Sequence, residues 1–261
     1  MRTSQLTLIS ALTLTLGACG NSNNSSGAAG TSASANSTAS VAPKPAVLSA
    51  KHCVNPALSK VGSVLITTTR TSSTEPAFTN DSTVETTFIG RSTFEGVAAD
   101  ERKLKTTNAG VVSTIFFYSN DDDGTLVELG STTSNAVGGF KVATKTVLSP
   151  AFRDSRYTLS AGESFKAARV GTTTATTTGL PIKVPPTVTQ LNDSFDVTFV
   201  GIEPVTVPAG TFQACRFENR ADANNVITEW VATNGVLVKS TQTKASTELI
   251  SASINGVAIR P

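Results

Sequence analysis

Histidine, tryptophan and methionine occur once each in the 261 residues, and cysteine three times. Each scarcity excludes a class of chemistry. With His52 alone, no pair of histidines can hold a zinc ion. A serine or cysteine nucleophile would have to recruit this one residue as its base, and no Gly-x-Ser-x-Gly elbow is present. His52 and Cys53 are adjacent, so on an extended chain they point to opposite faces and make a poor dyad. Charged residues make up only 15% of the chain and the net charge is +2. There is no basic stripe, so the sequence carries no footprint for nucleic acid. Gly-rich phosphate cradles are missing. Leucine, glutamate and lysine are sparse while threonine and serine abound, a composition suited to strands and turns rather than helices.

Three segments follow one another. Met1 to Ala18 carries one positive charge at Arg2, an apolar stretch from Leu6 to Leu16 too short to span a bilayer, and small residues before Cys19. Residues 1–18 therefore read as an export signal. Leu16-Gly17-Ala18-Cys19 matches the bacterial lipoprotein box, in which Cys19 becomes the acylated first residue of the mature chain. Two or more acyl chains give durable anchoring where one does not. Gly20 is not the aspartate that retains lipoproteins in the inner membrane under the enterobacterial rule, which directs the reading to the outer membrane. Residues 19–50 are mostly Asn, Ser, Gly, Ala and Thr and read as a disordered, lipid-anchored tether with a reach of about 30 Å. Residues 51–261 remain for a β-rich domain, enough for one sizeable core.

With Cys19 assigned to lipid, Cys53 and Cys215 are the natural disulfide pair of an exported protein. Along the domain, strands are expected over 61–71, 83–90, 111–119, 125–131, 140–148 and 226–232, with a hairpin over 161–178 and a last strand over 248–254. Glu248, Ile250, Ala252 and Ile254 would share one face of that strand, and Leu249 the other. Segment 149–157 is a loop or one short helix. Val207-Pro208-Ala209-Gly210 fits a tight turn, because proline presets the backbone at its second position and glycine suits its exit.

Thr87-Phe88-Ile89-Gly90 matches Thr198-Phe199-Val200-Gly201, and Leu126-Val127 matches Leu237-Val238, at one offset. Phe116 then falls at the place of Trp230. Two related meander units, about 83–131 and 194–240, would follow. The fold class is all-β: an antiparallel curled sheet, half-barrel or sandwich-like. Phe195, Val197 and Phe199 form an aromatic stripe at strand spacing, read first as core packing. The carboxylates Glu203, Glu218 and Glu229 read as a solvated face rather than an acid–base pair. Asp121-Asp122-Asp123-Gly124 reads as an acidic hairpin end, since an EF-hand alignment puts Gly130 where the bidentate glutamate belongs.

Val207-Pro208-Ala209-Gly210-Thr211-Phe212 with Cys215, then Thr228-Glu229-Trp230, Gly235-Val236-Leu237-Val238-Lys239 and Glu248-Leu249, resembles a family of bacterial exported proteins and lipoproteins with a TapB-like domain of unknown function. The likeness covers mainly 195–250 and departs from the usual turn at Ala232-Thr233-Asn234. It implies a periplasmic-side β-fold similar to half-barrel carriers, and no catalytic residue. The expectation is an outer-membrane lipoprotein whose β-domain is a non-catalytic binding or structural module, with no cofactor and no metal. The alternative is a periplasmic carrier of a lipid or other apolar ligand. The partners expected are the membrane, through the anchor, and an envelope protein or an apolar ligand. Cys19→Ser should abolish palmitate labelling and move the protein from the membrane to the soluble fraction; unchanged membrane attachment would refute the anchor.

Overall fold

The computed structural model describes residues 48–137 and 139–261; Cys19 and the tether up to Val47 lie outside the described residues. Thirteen strands follow in chain order: β1 (Val64–Thr74), β2 (Ala77–Phe94), β3 (Val97–Asn108), β4 (Val111–Asp122), β5 (Thr125–Val137), β6 (Phe140–Asp154), β7 (Ser164–Thr178), β8 (Thr187–Val207), β9 (Gly210–Asp222), β10 (Asn225–Ala232), β11 (Leu237–Gln242), β12 (Ala245–Ile254) and β13 (Val257–Ala258). Each pairs antiparallel with the next, and β1 also pairs with β12, so the first twelve close into a barrel with β13 added at its edge. Full closure removes the open sheet edge that a half-barrel would have to protect.

Residues directly opposite in an antiparallel pair share a face, which identifies the inner wall. In β8, Leu191, Asp193, Phe195, Val197 and Phe199 are covered while Asn192, Ser194 and Asp196 are exposed, the alternation of a half-buried strand. Phe217 opposes Phe199, and Glu229 opposes Phe217, so these belong to the inner face. Contacts between strands that are not neighbours confirm it: Phe152 on β6 lies 6.4 Å from Phe195 on β8, ring to ring. The outer face carries charges in mid-strand, among them Arg70, Asp81, Glu85, Lys103 and Lys105. These charges interrupt the outer face of β1 to β3.

Three short 3₁₀ turns lie off the barrel wall, at Ala50–Cys53, Pro56–Ser59 and Arg156–Thr158. Ser49 and Asn55 cap the first two with side-chain oxygens. The first turn is sewn to the β6–β7 connection, where Ala50 N donates to Leu159 O and Ala161 N donates to Leu48 O. A disulfide joins Cys53 to Cys215 on β9 across 162 residues of sequence, a long loop whose closure contributes roughly 2–4 kcal/mol on a chain-entropy view. Both cysteines are fully buried.

The two Thr-Phe-x-Gly segments build the same local structure. A register shift follows Phe88 in β2 and Phe199 in β8. Gly62 N donates to Phe88 O at 2.8 Å and Phe88 N to Ser63 O at 3.0 Å; Gly162 N donates to Phe199 O at 2.8 Å and Phe199 N to Glu163 O at 3.0 Å. The equivalence thus starts before β1 and before β7 and relates six strands to six. Beyond β3 the pairing differs from the expected alignment. Tyr118, not Phe116, occupies the place of Trp230, because both sit at the register shift with the following strand.

Other expectations are corrected. Residues 164–178 form one continuous strand rather than a hairpin, and the return strand starts only after the Pro-rich stretch 180–186. A further strand, β13, follows 248–254. The bulge in β12 opposite Thr68 and Thr69 breaks the alternation, so Leu249 is buried together with Ala252. Segment 97–108, rich in charge and without an apolar run, is a full strand. The Pro-Ala-Gly hairpin docks on the end of the chain: Ala209 N donates to Leu249 O, and a Cβ on Gly210 would meet Pro261.

Close approach of strands fixes one further glycine. A Cβ on Gly171 would stand 2.2 Å from the carbonyl oxygen of Val147. Gly171→Ala should destabilise the fold by about 1–3 kcal/mol, the cost of overpacking; urea unfolding against the parent protein measures it, and an unchanged midpoint would refute the close approach.

Candidate functional site

The turns of the barrel alternate between two ends, and the ends differ. At one, the β6–β7 connection 155–163 and the N-terminal segment 48–63 cover the inner wall. There Val197, Phe199, Cys215 and Phe217 are completely inaccessible, and Leu148, Phe152, Leu159 and Val231 nearly so. Toward the other end the inner wall is only half-buried. Val84, Leu104, Ile115, Phe117, Thr144 and Thr173 all point inward by their pairing and remain partly accessible. Barrel diameter grows with strand number, and about eight strands already leave room for side chains alone. Twelve strands can enclose more space than eight; here the barrel is sealed at one end, and toward the other its inner wall is lined by threonine and apolar residues that stay partly accessible.

The sealed end also carries a polar and charged floor. Arg156 Nε donates to both oxygens of Asp154, at 3.0 and 2.8 Å, and its Nη1 donates to Glu229 Oε2 at 2.7 Å. Asn219 Nδ2 donates to the same Glu229 oxygen at 2.8 Å. The guanidinium lies 5.7 Å from the centre of the Phe217 ring, against which Tyr157 packs edge-on. Burial disfavours the charge on Arg156, but the Asp154 and Glu229 carboxylates outweigh it and raise its pKa. One turn of backbone, Asp154 to Tyr157, thereby bridges β6 to β10 through the interior. Burial also pushes the Tyr157 phenol up.

Beside this triad, Arg169 Nη2 donates to Glu128 Oε2 at 3.2 Å and lies 4.8 Å over the Phe152 ring. Burial raises the Glu128 carboxyl above its ordinary value, and Arg169 only partly opposes this. Arg102 on β3 completes the inner set. It sits 5.6 Å from the Phe88 ring, and its Nε is buried with no hydrogen-bond partner among the described residues.

The sequence-predicted positions divide cleanly. Cys53 and Cys215 meet in the sealed end. Phe195, Val197 and Phe199 line the interior, with Phe199 tilted against Phe217 at 5.4 Å. His52 is exposed, and its Nδ1 can only donate to the Ser49 carbonyl, 2.8 Å away. The reading of Glu203, Glu218 and Glu229 as one solvated face is corrected. Glu203 accepts from Trp230 Nε1 and Glu218 pairs with Arg216 on the outer side, whereas Glu229 opposes Phe217 and turns inward. Asp123 and Gly124 make the hairpin end expected of the acidic loop, with left-handed φ angles of 50° and 81°, and Asp122 pairs with Arg153. Sequence reading passed over Arg102, Glu128, Asp154, Arg156 and Arg169. Arg102 and Arg169 stand singly on β3 and β7 and Arg156 in a 3₁₀ turn, so no spacing in the sequence marks them as a set.

No protein-family model and no curated protein matches this sequence. Among solved structures, the chain is similar to a lipoprotein candidate from Parabacteroides distasonis ATCC 8503, with 14% identity and a TM-score of 0.33 over 75% of this chain and 96% of that one. It is also similar to a candidate exported protein with a YmcC-like fold from Bacteroides fragilis NCTC 9343, with 11% identity and a TM-score of 0.37 over 74% of this chain and 96% of that one.

Glu128 gives a test of the floor. Its folded pKa lies above the ordinary 4.5, so between the two values the folded state holds the extra proton and stability falls as pH rises. Glu128→Gln keeps an acceptor for Arg169 and removes the titration. Its stability relative to the parent protein should increase between pH 4 and pH 7 in urea unfolding; a constant difference would refute the buried, unfavourably charged carboxylate.

Proposed function

We propose that this protein is an exported lipoprotein, anchored through Cys19 to the outer membrane, whose barrel is a non-catalytic carrier for an apolar ligand held in the lumen. The observation that carries the reading is the contrast along one inner wall. Side chains are wholly inaccessible at the sealed end and half-accessible toward the other, in a barrel of twelve strands. Ligand sites are concave, mostly apolar and furnished with a few polar groups, and this wall has that make-up. The lipoprotein box supports the anchor, and Gly20 after Cys19 supports the outer membrane. The hairpin residues Val207 to Phe212 support kinship with the TapB-like exported proteins.

Charge argues against the other classes. The carboxylates of the floor are held by arginines rather than left free as a paired acid and base. The mixed charges of the outer wall offer no basic track for nucleic acid. The same floor argues against a purely structural module, in which a tight apolar core would be the simpler solution.

Native mass spectrometry of the Cys19→Ser chain, exported and purified without detergent, tests the carrier reading. A co-purifying species of several hundred daltons that leaves on collisional activation is the expected result. A consistently bare protein, with a filled interior in an experimental structure, would refute it.

A further inference from the structure

Resting on the carrier reading, we infer that the lumen takes a single-chain amphiphile with an anionic head, and that Arg102 holds that head. Three arginines face the interior. Arg156 is bound by Asp154 and Glu229, and Arg169 by Glu128. The Nε atoms of both Arg102 and Arg169 are sealed from water without a hydrogen-bond partner, but Arg169 is still held through its Nη2, whereas Arg102 alone of the three makes no side-chain hydrogen bond or ion pair among the described residues. An unsatisfied buried donor is costly in a native protein and calls for a partner. A guanidinium fork matches carboxylate or phosphate oxygens better than any other side chain does.

The surroundings fit this use. Arg102 stands opposite Phe88 and Phe117, between the Tyr157 side of the floor and the half-open wall where Leu104 and Ile115 follow. A head at Arg102 would thus place an acyl chain along apolar and threonine side chains toward the mouth. The nearest carboxylates do not occupy the fork. Asp100 lies 3.4 Å from Arg91, and Asp121 accepts from the backbone N–H of Gly124 in its own turn. Burial pushes the Arg102 pKa down, and Asp100, Asp121 and Tyr157 offset this only in part, so a closer negative partner would be accommodated.

The test is fluorescence titration of the full Cys19→Ser chain with cis-parinaric acid and with its methyl ester, followed by displacement with palmitate and with oleoyl lysophosphatidate. The acid should bind the parent protein more tightly than the ester. Arg102→Gln should weaken the acid about tenfold or more, as expected for loss of a charge-assisted hydrogen bond, and leave the ester within twofold. Arg102→Lys, which keeps the charge and loses the fork, should fall between. The thermal midpoint of Arg102→Gln should change little, because the side chain has no hydrogen-bond or ion-pair partner to lose among the described residues and only its place beside the Phe88 ring to give up. Stronger displacement by palmitate assigns a carboxylate head, and by lysophosphatidate a phosphate head. Acid and ester binding equally, with no effect of Arg102→Gln, would overturn the inference and leave the carrier reading standing. Binding of no probe to the parent protein would overturn both. Equal weakening of all probes with a lowered midpoint would mark Arg102 as structural and overturn the inference.

Discussion

Closure by twelve strands is the constraint on which the rest of the structure depends. The hydrogen bonds from β1 to β12 remove both edges of the sheet, and in doing so they enclose an interior wider than that of a small eight-stranded barrel. The protein meets this with a wedge at one end only. The β6–β7 connection and the N-terminal segment lie over the inner wall, and the Cys53–Cys215 bond holds the second of these in place. The aromatic cluster of Phe152, Phe199 and Phe217 then packs against the wedge. Every feature of the candidate site follows from where this wedge stops.

The charged floor belongs to the same solution. Arg156 joins β6 to β10 through the barrel, and its two carboxylate partners come from strands four apart in the sheet order. Such a buried arrangement adds little net stability compared with well-packed apolar residues, but losing one partner leaves a buried charge exposed to the full desolvation cost. It therefore fixes the position of the wedge more than it strengthens the fold. Phe217 takes part in both systems, receiving Tyr157 edge-on and Arg156 over its face.

The all-β class, the hairpin at Pro208 and Ala209 and the pairing partner of Cys53 were legible in the sequence because each rests on a local rule: strand composition, turn chemistry and an even number of cysteines once Cys19 is set aside. The Thr-Phe-x-Gly match at residues 87–90 and 198–201 also pointed to shared local structure, since glycine at a bulge leaves a visible mark. Closure was not legible. Whether β1 meets β12 depends on accumulated tilt and bulges over the whole sheet, and no single strand encodes it. Strand 97–108 escaped notice because its inner positions include Arg102 in place of a steady apolar alternation. The interior network escaped for a related reason: Asp154, Arg156 and Glu229 come together only after the barrel has closed, and in the sequence they look like ordinary surface charges.

The alternation of turns between the two ends has a consequence for how such a barrel can change. The wedge and its disulfide lie at the sealed end, as do the first described residue, Leu48, and Pro261 against Gly210. Of the connections at the far end, the short turns at 75–76 and 109–110 hold the register of their hairpins, whereas the longer Pro-rich stretch 179–186 takes part in neither the wedge nor a tight turn. Insertions and deletions there would reshape what the lumen admits while the machinery of folding stays untouched, so selectivity and stability can evolve on separate ends of one molecule.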